Sequence, residues 1–287
     1  MPWVRIASGL VAILLALGLI VLGGWYFTVG FGIIVFLGQL EIFQLVQAKG
    51  ILPATKTTLV VSQAVLVIAY GYPVLADAVL PVGGTIICFY LLFQPKFATI
   101  ADVAASLLGL FYGGYLPSFW IRLRQIGTED SANLPFGGYW PLADGAPGIP
   151  TGLVLTLAAF VCIWAADIGA YAFGKWLGKT PLSNISPKKT LEGALFGVGG
   201  SMLSGMVSAY LMGWPSWALS GAAFGILIGI SSLLGDLTES LLKRDAVVKD
   251  SGQLIPVHGG ILDRTDSYVF TAPLVFYFVT LLLPQLP

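Results

Sequence analysis

Apolar residues run almost unbroken along most of this chain, and the polar ones gather in a few short segments. Nine apolar runs are long enough to read as bilayer-crossing helices, at roughly 6–22, 25–46, 57–76, 78–93, 97–116, 150–172, 193–213, 216–234 and 267–285. A helix needs about 20 apolar residues to cross a bilayer. No period-two alternation of a membrane β-barrel is present, and helices are the other way to satisfy every backbone group in lipid. The pattern therefore predicts an all-α, polytopic integral membrane helix bundle of about nine transmembrane helices. Only Gly23 and Gly24 separate the first two runs, and Gly83-Gly84 interrupts the short fourth one. The first run follows Arg5 and resembles the core of a signal peptide. No small-residue cleavage site precedes the next run, so an uncleaved first span is expected.

Composition agrees. The chain is 57% apolar and 10% charged, with a mean hydropathy of +0.89; soluble domains are about 25% charged. A net charge of zero argues against bulk nucleic-acid binding. Cys88 and Cys162 both sit in apolar runs and read as packing residues, without metal or disulfide spacing.

Nine spans put the termini on opposite sides, and the lysines and arginines choose between them. With the N-terminus cytoplasmic, the inner segments carry 12 of the 14 basic residues and the outer ones only Arg122 and Arg124. The expected organisation is an N-terminal bundle over 1–116, about five helices long, and an extracytoplasmic loop over 117–149 rich in Pro and Gly. A C-terminal domain over 150–287 then carries two cytoplasmic motif loops, 173–192 and 235–266. The expected location is the inner (plasma) membrane, multi-pass, with the chemistry facing the cytoplasm.

The segment 236–266 stands out: it holds ten of the 28 charged residues and His258, the chain's single histidine. Charge of both signs beside lipid is expensive, so it points to a charged ligand. Asp236, Glu239 and Lys243 are spaced i, i+3, i+7 and share one helix face. Two carboxylates and an ammonium there suit a hard divalent cation beside an anionic substrate. They equally suit a helix end paired with Lys243 and Arg244. Further on, Gly259-Gly260 permits close backbone approach and positive φ, which suits a phosphate-cradling turn. Asp263 and Asp266 are again i, i+3; as acids near a helix start, either is also a plain cap. His258 fits a phosphate contact or a turn satisfied by backbone.

A second constellation spans 164–193. Asp167 and Tyr171 share a face near the inner end of a span. Ser186-Pro187-Lys188-Lys189-Thr190-Leu191-Glu192-Gly193 packs hydroxyls and ammonium groups into a plausible phosphate grip. Lys188 and Lys189 alone also fit a cationic anchor at anionic headgroups. Glu41 and Asp102 lie within spans, where a buried hydrogen bond and a headgroup path are both open for each. Gly221, Gly225 and Gly229 align on one face and predict a tight helix–helix contact.

The run Ser240-x2-Lys243-Arg244-x4-Lys249-Asp250-x-Gly252-x3-Pro256-x-His258-Gly259-Gly260-x2-Asp263-Arg264-x-Asp266 resembles the signature of the phosphatidate cytidylyltransferases, also called CDP-diacylglycerol synthases. The Ser-Pro-Lys-Lys-Thr-x-Glu-Gly run resembles that family's other recurrent region. The likeness is carried by about 164–266; the N-terminal half matches only as apolar spans, and loop 117–149 is not mapped onto the family pattern. Val257 stands where glycine is common before the histidine. The resemblance implies that CTP and phosphatidic acid give CDP-diacylglycerol and pyrophosphate in phospholipid biosynthesis. It implies Mg²⁺, with a second cation as an open alternative, and a homodimer with a cavity open to the cytoplasm. Metal ligation then falls to Asp236 and Asp263, with Asp266, Glu239 and Asp167 as further ligands or their supports. Lys188, Lys189, Lys243, Arg244, Lys249 and Arg264 share the phosphates. Ser186 and Thr190 donate hydrogen bonds, while His258, Gly259 and Gly260 line the turn.

Three rival readings differ in what they release. A CTP-dependent polyprenol or phytol kinase, or a synthase of archaeal-type lipids, shares the phosphate logic; the kinase makes CDP and no pyrophosphate. A transporter gated by charged loops would keep its charge near the midplane rather than at helix ends. A scaffold gives no reason for the cluster at 236–266.

Overall fold

The structure is a computed structural model that describes residues 2–142, 148–248, 250–252 and 259–286. Among them it is helical with no strand, as the pattern predicts. The helices are α1 (Pro2–Leu22), α2 (Gly24–Ala48), α3 (Thr55–Gly71), α4 (Pro73–Leu92), α5 (Ile100–Leu110), α6 (Leu116–Gln125), α7 (Thr151–Leu177), α8 (Leu191–Leu211), α9 (Trp217–Asp245), α10 (Leu262–Val269) and α11 (Thr271–Tyr277). Seven stretches among the described residues are long and apolar enough to cross a membrane: 24–48, 73–92, 100–125, 151–177, 191–211, 217–245 and 262–285. The expected run 57–76 becomes a 17-residue helix, α3. At about 1.5 Å per residue it is about 26 Å long, at the lower end of the length that crosses a bilayer.

The chain packs as two units, Met1–Val154 with Ala246–Arg264, and Leu155–Asp245 with Thr265–Pro287. In the first, Ala54, Val65, Ile87, Leu91 and Leu110 make the apolar centre. A buried polar tie crosses it: Gln39 Nε2 donates to Ser62 Oγ at 2.7 Å and to Gly109 O at 2.8 Å, joining α2, α3 and α5. Gly83, expected as an interruption, lies inside a continuous α4. A Cβ there would sit 2.5 Å from Val61, so the glycine serves the α3–α4 contact.

The chain expected to leave the helix at residue 117 stays helical to Gln125. Between α5 and α6 the ladder widens into a π-helical turn, Phe111–Tyr115. Such a turn releases backbone groups locally, and Pro117, which has no amide to place, follows at the start of α6. This carries Arg122 and Arg124 into the interior, at 4% and 1% exposure. Arg122 pairs with Asp77 at 2.8 Å and lies over the Phe119 ring. Arg124 Nε donates to Ile20 O at 2.6 Å and Nη2 to Val21 O at 2.9 Å. It thereby satisfies carbonyls that end α1, which no later turn could reach. Gly23, at φ +62°, follows because a side chain there would meet the guanidinium.

Asp102 is resolved as a fastener. Its Oδ2 accepts from Thr99 N and Oγ1, and its Oδ1 accepts from Leu52 N at 2.6 Å. It closes a capping box on α5 and pins the 49–54 linker.

In the second unit, α8 lies between α7 and α9 and is small-sided toward both. Side chains on Gly221, Gly225 and Gly229 would come within 2.6 Å of Met206 Cα, 2.3 Å of Ser201 O and 3.0 Å of Val198 Cα respectively. The aligned glycines thus meet α8, and Ser201 Oγ donates across the seam to Gly225 O at 2.7 Å. On its other side a Cβ on Gly193 or Gly197 would come 2.7 Å from Ala170 O or Ala166 O respectively. Without a hydrophobic drive between helices in lipid, close packing of this kind holds them together.

Replacing Gly225 by Val should therefore separate α8 from α9 and cost at least the roughly 1–3 kcal/mol typical of overpacking. Gly199→Val, at a position with nothing within 4 Å, should leave the unfolding midpoint in detergent near that of the parent. Thermal unfolding of the two variants side by side checks this.

Candidate functional site

The second unit gathers charge at one place. Asp236 and Glu239 sit on α9, Asp266 on α10, and one oxygen from each carboxylate lies within 4.8 Å of the others. The helices can bring them this close because Gly235 lets α10 approach: a Cβ there would be 2.4 Å from Asp266 O. α10 is held from the other side by α7. Tyr268 Oη accepts from Trp164 Nε1 at 2.7 Å, and the Tyr268 and Phe160 rings meet edge to face. Glu239 is fully buried and Asp266 is 9% exposed.

Two lysines face these acids. Lys243 Nζ lies 2.5 Å from Glu239 Oε2, one turn along α9. Lys189 Nζ pairs with Asp236 Oδ2. At 4.8 Å two ionised carboxylates repel by about 3 kcal/mol at an effective dielectric near 20. Among the described residues, three acids stand against the two lysines that pair with them, so a cation is a natural complement. The donor set is hard oxygen. Mg²⁺ takes oxygen ligands from carboxylates together with water and substrate phosphates, and Asp236, Glu239 and Asp266 are the residues that would hold one. The residues fit the ion.

Lys189 reaches Asp236 because its loop is built for it. Ser186 O accepts from Lys189 N at 3.0 Å, closing a turn, and Leu182 N donates to Lys189 O at 2.8 Å. Glu192 fastens the base of the loop, accepting from Lys179 N, Thr180 N and Thr180 Oγ1. Thr190 Oγ1 accepts from Gly193 N at 3.2 Å and caps α8. Thr190 and Glu192 therefore shape the run, Lys189 alone of its residues joins the carboxylates by a salt bridge among the described residues, and Lys188 is exposed on the turn. Asp167 is also exposed; Ser232 Oγ stands 3.5 Å from its Oδ1, the outer limit of a hydrogen bond. It lies outside the three-carboxylate group. Arg244 is exposed in the last turn of α9.

The other half of the motif lies in the first unit, and the structure places Asp263, Gly259 and Gly260 in a knot of hydrogen bonds. Asp263 Oδ2 accepts from Gly260 N at 2.8 Å, Ser251 N at 3.0 Å and Ser251 Oγ at 3.1 Å. Gly259 has φ +85°, the left-handed turn that its position predicted. Glu41 of α2, 1% exposed, completes the knot. Its Oε1 accepts from Ile261 N at 2.9 Å, and its Oε2 accepts from Leu262 N at 2.9 Å and Ser251 Oγ at 2.8 Å. Arg264 is exposed. Lys249 and His258 lie outside the described residues.

Sequence reasoning left Glu41 open and passed over Ser251. A lone acid in the apolar run of α2 was the available signal that something donates to it, but its donors stand more than 200 positions away. Nothing in local spacing reaches that far.

Because Glu239 is buried, its charge depends on Lys243. Lys243→Met alone should destabilise the protein by about 3 kcal/mol or more, the cost of an uncompensated buried charge. Adding Glu239→Gln to the same chain should recover most of the loss. Unfolding of the two single variants and the double variant in detergent measures the coupling.

A family model described as the cytidylyltransferase family matches residues 3–282. The chain is 62% identical over 293 residues to a phosphatidate cytidylyltransferase of Synechocystis, covering 100% of this chain and 99% of that protein. It is 42% identical over 274 residues to phosphatidate cytidylyltransferase 4, chloroplastic, of Arabidopsis thaliana, covering 92% of this chain and 70% of the other. A phosphatidate cytidylyltransferase of Helicobacter pylori is 46% identical over 123 residues, 42% of this chain and 45% of the other. With a family model matched over nearly the whole length and a relative this similar from end to end, the chain belongs to the cytidylyltransferase family.

Proposed function

We propose that this multi-pass membrane protein transfers the cytidylyl group of CTP to phosphatidic acid. One observation carries the reading: 62% identity over the full length to a protein named for that activity. A phosphate oxygen of the lipid attacks the α-phosphorus of CTP; the new P–O bond forms as the α–β bridge bond breaks, and pyrophosphate leaves with the electron pair. The nucleophile is already anionic, so the protein's task is positioning and charge neutralisation.

The carboxylates of Asp236, Glu239 and Asp266 supply oxygen ligands for Mg²⁺, which would offset the repulsion between the two phosphate-bearing substrates. Asp167, 3.5 Å from Ser232 Oγ one turn before Asp236 on α9, stands near enough to join or steady that set. Lys189 and Lys243, which balance the carboxylates in the free protein, are the bases we assign to the incoming phosphates. The exposed Lys188, Arg244 and Arg264 extend the same positive supply, and Lys249 and His258 keep the phosphate-contacting role that the family signature gives them. We assign nine spans with the N-terminus in the cytoplasm of the inner membrane, on the strength of the 12-to-2 division of basic residues. Arg122 and Arg124, the two exceptions, are interior structural residues, which removes them as evidence for an outer positive loop. The family resemblance extends the reading to a homodimer.

The purified chain, given labelled CTP, phosphatidate and Mg²⁺ in detergent, should form CDP-diacylglycerol and pyrophosphate in equal amounts. CDP with a phosphorylated alcohol and no pyrophosphate would replace this reading with a lipid kinase. Asp236→Asn and Asp266→Asn should each lower kcat about 100-fold, the equivalent of about 2.7 kcal/mol of transition-state stabilisation. Chelation should abolish turnover and added Mg²⁺ should restore it. If both variants turn over like the parent, the metal assignment fails.

A further inference from the structure

Glu41 lies outside every motif of the chain, yet it holds one of them. It sits on α2 at 1% exposure, and its described hydrogen bonds run to Ser251, Ile261 and Leu262. Three donors converge on its two oxygens: the amides of Ile261 and Leu262 and the hydroxyl of Ser251. The two amides belong to the first turn of α10, where helix N–H groups have no partner of their own and a negative charge is favoured. Asp263, in that same first turn, turns back to accept from Gly260 N and Ser251 N, with Ser251 Oγ 3.1 Å away.

Ser251 has one hydroxyl proton, and two carboxylate oxygens stand within reach of it, Glu41 Oε2 at 2.8 Å and Asp263 Oδ2 at 3.1 Å. The shorter contact gives the proton to Glu41. The serine then bridges the two acids, so where Glu41 stands decides where Asp263 stands. The flanking glycines show that the fit is close. A Cβ on Gly260 would come 2.3 Å from Glu41 Oε2 and 2.1 Å from Ser251 Oγ; one on Gly252 would come 2.5 Å from Glu41 Oε1. Two glycines in the motif are thus shaped around a residue that the motif does not contain.

We propose that Glu41 is a positioning residue for the reaction: its carboxylate fixes the start of α10 and, through Ser251, the side chain of Asp263. This rests on the cytidylyltransfer reading above. The family resemblance gives Asp263 a metal-ligand role. Displacing a reacting set by about 1 Å can cost about 100-fold in rate, and losing Glu41 removes three hydrogen bonds that set the position of this turn. Glu41→Gln keeps the size and one acceptor oxygen but cannot receive all three donors. Glu41→Asp keeps the charge and shortens the reach.

Two readouts test this on the full chain in detergent: steady-state kinetics with CTP and phosphatidate, and amide hydrogen exchange across 259–262. In Glu41→Gln the amides of Ile261 and Leu262 should exchange at least tenfold faster, with exchange across α8 and α9 unchanged. Its kcat should fall about 30-fold, with both KM values within threefold of the parent. Glu41→Asp should recover part of the rate. Should Glu41→Gln fail to fold, Gly260→Ala carries the exchange arm, since its methyl group must push the carboxylate away. Parental exchange at Ile261 and Leu262 in the variant overturns the proposal, as does loosened exchange with parental kcat. If the parent itself makes no CDP-diacylglycerol, the reaction assigned above falls, and the exchange arm still decides whether Glu41 holds the turn.

Discussion

Every charge that this protein buries must be answered by a group from its own chain. In an apolar bundle water is not there to do it, and an unpaired ion costs several kcal/mol. The structure meets that demand residue by residue. Arg124 is spent on the carbonyls that end α1, Asp102 on the amides of the 49–54 linker, Glu239 on Lys243, and Glu41 on the first turn of α10. Three of these contacts, those of Arg124, Asp102 and Glu41, lie where helices begin or end, and the apolar packing fills in around them.

The demand has two outcomes. Where each acid has its donors, the result is a joint: Asp102 and Glu41 accept from backbone amides and become part of the scaffold. Where acids outnumber the cations beside them, the result is a place that favours a further cation. Asp236, Glu239 and Asp266 with Lys189 and Lys243 are of the second kind. The close approach of α9 and α10 at Gly235 is what forces the three carboxylates together against their repulsion. Close packing and chemistry are therefore linked, since glycine at the crossing is the condition for the charge cluster.

Much of this was readable in the order of residues. The apolar runs gave the helices, because a backbone in lipid has little choice. The i, i+3, i+7 spacing placed Asp236, Glu239 and Lys243 on one face, and the aligned glycines of α9 announced a close neighbour. Other features escaped for a common reason. The end of the fifth span was misplaced because Pro117 reads as a breaker, whereas a widened turn absorbs it. Arg122 and Arg124 read as loop charges because an arginine's partners, carbonyls more than 100 positions away in the case of Arg124, leave no local trace. Thr190 and Glu192 read as ligand groups because a cap and a phosphate contact call for the same atoms. Lys189 was legible as a cation, but only the fold could pair it with Asp236.

The bond between Glu41 and the start of α10 also has a history in time. Its partners follow it by 210 to 221 positions. At about 5–20 residues per second of synthesis, α2 leaves the ribosome at least about ten seconds before Ser251 and Leu262 exist. Throughout that interval a carboxylate near the middle of an early helix has none of the donors it will finally bind. It must be solvated at an interface or sheltered by the insertion machinery. Assembly of the N-terminal bundle is therefore incomplete until the last hydrophilic segment has been made, and a truncated chain would retain an acid whose partners never arrive.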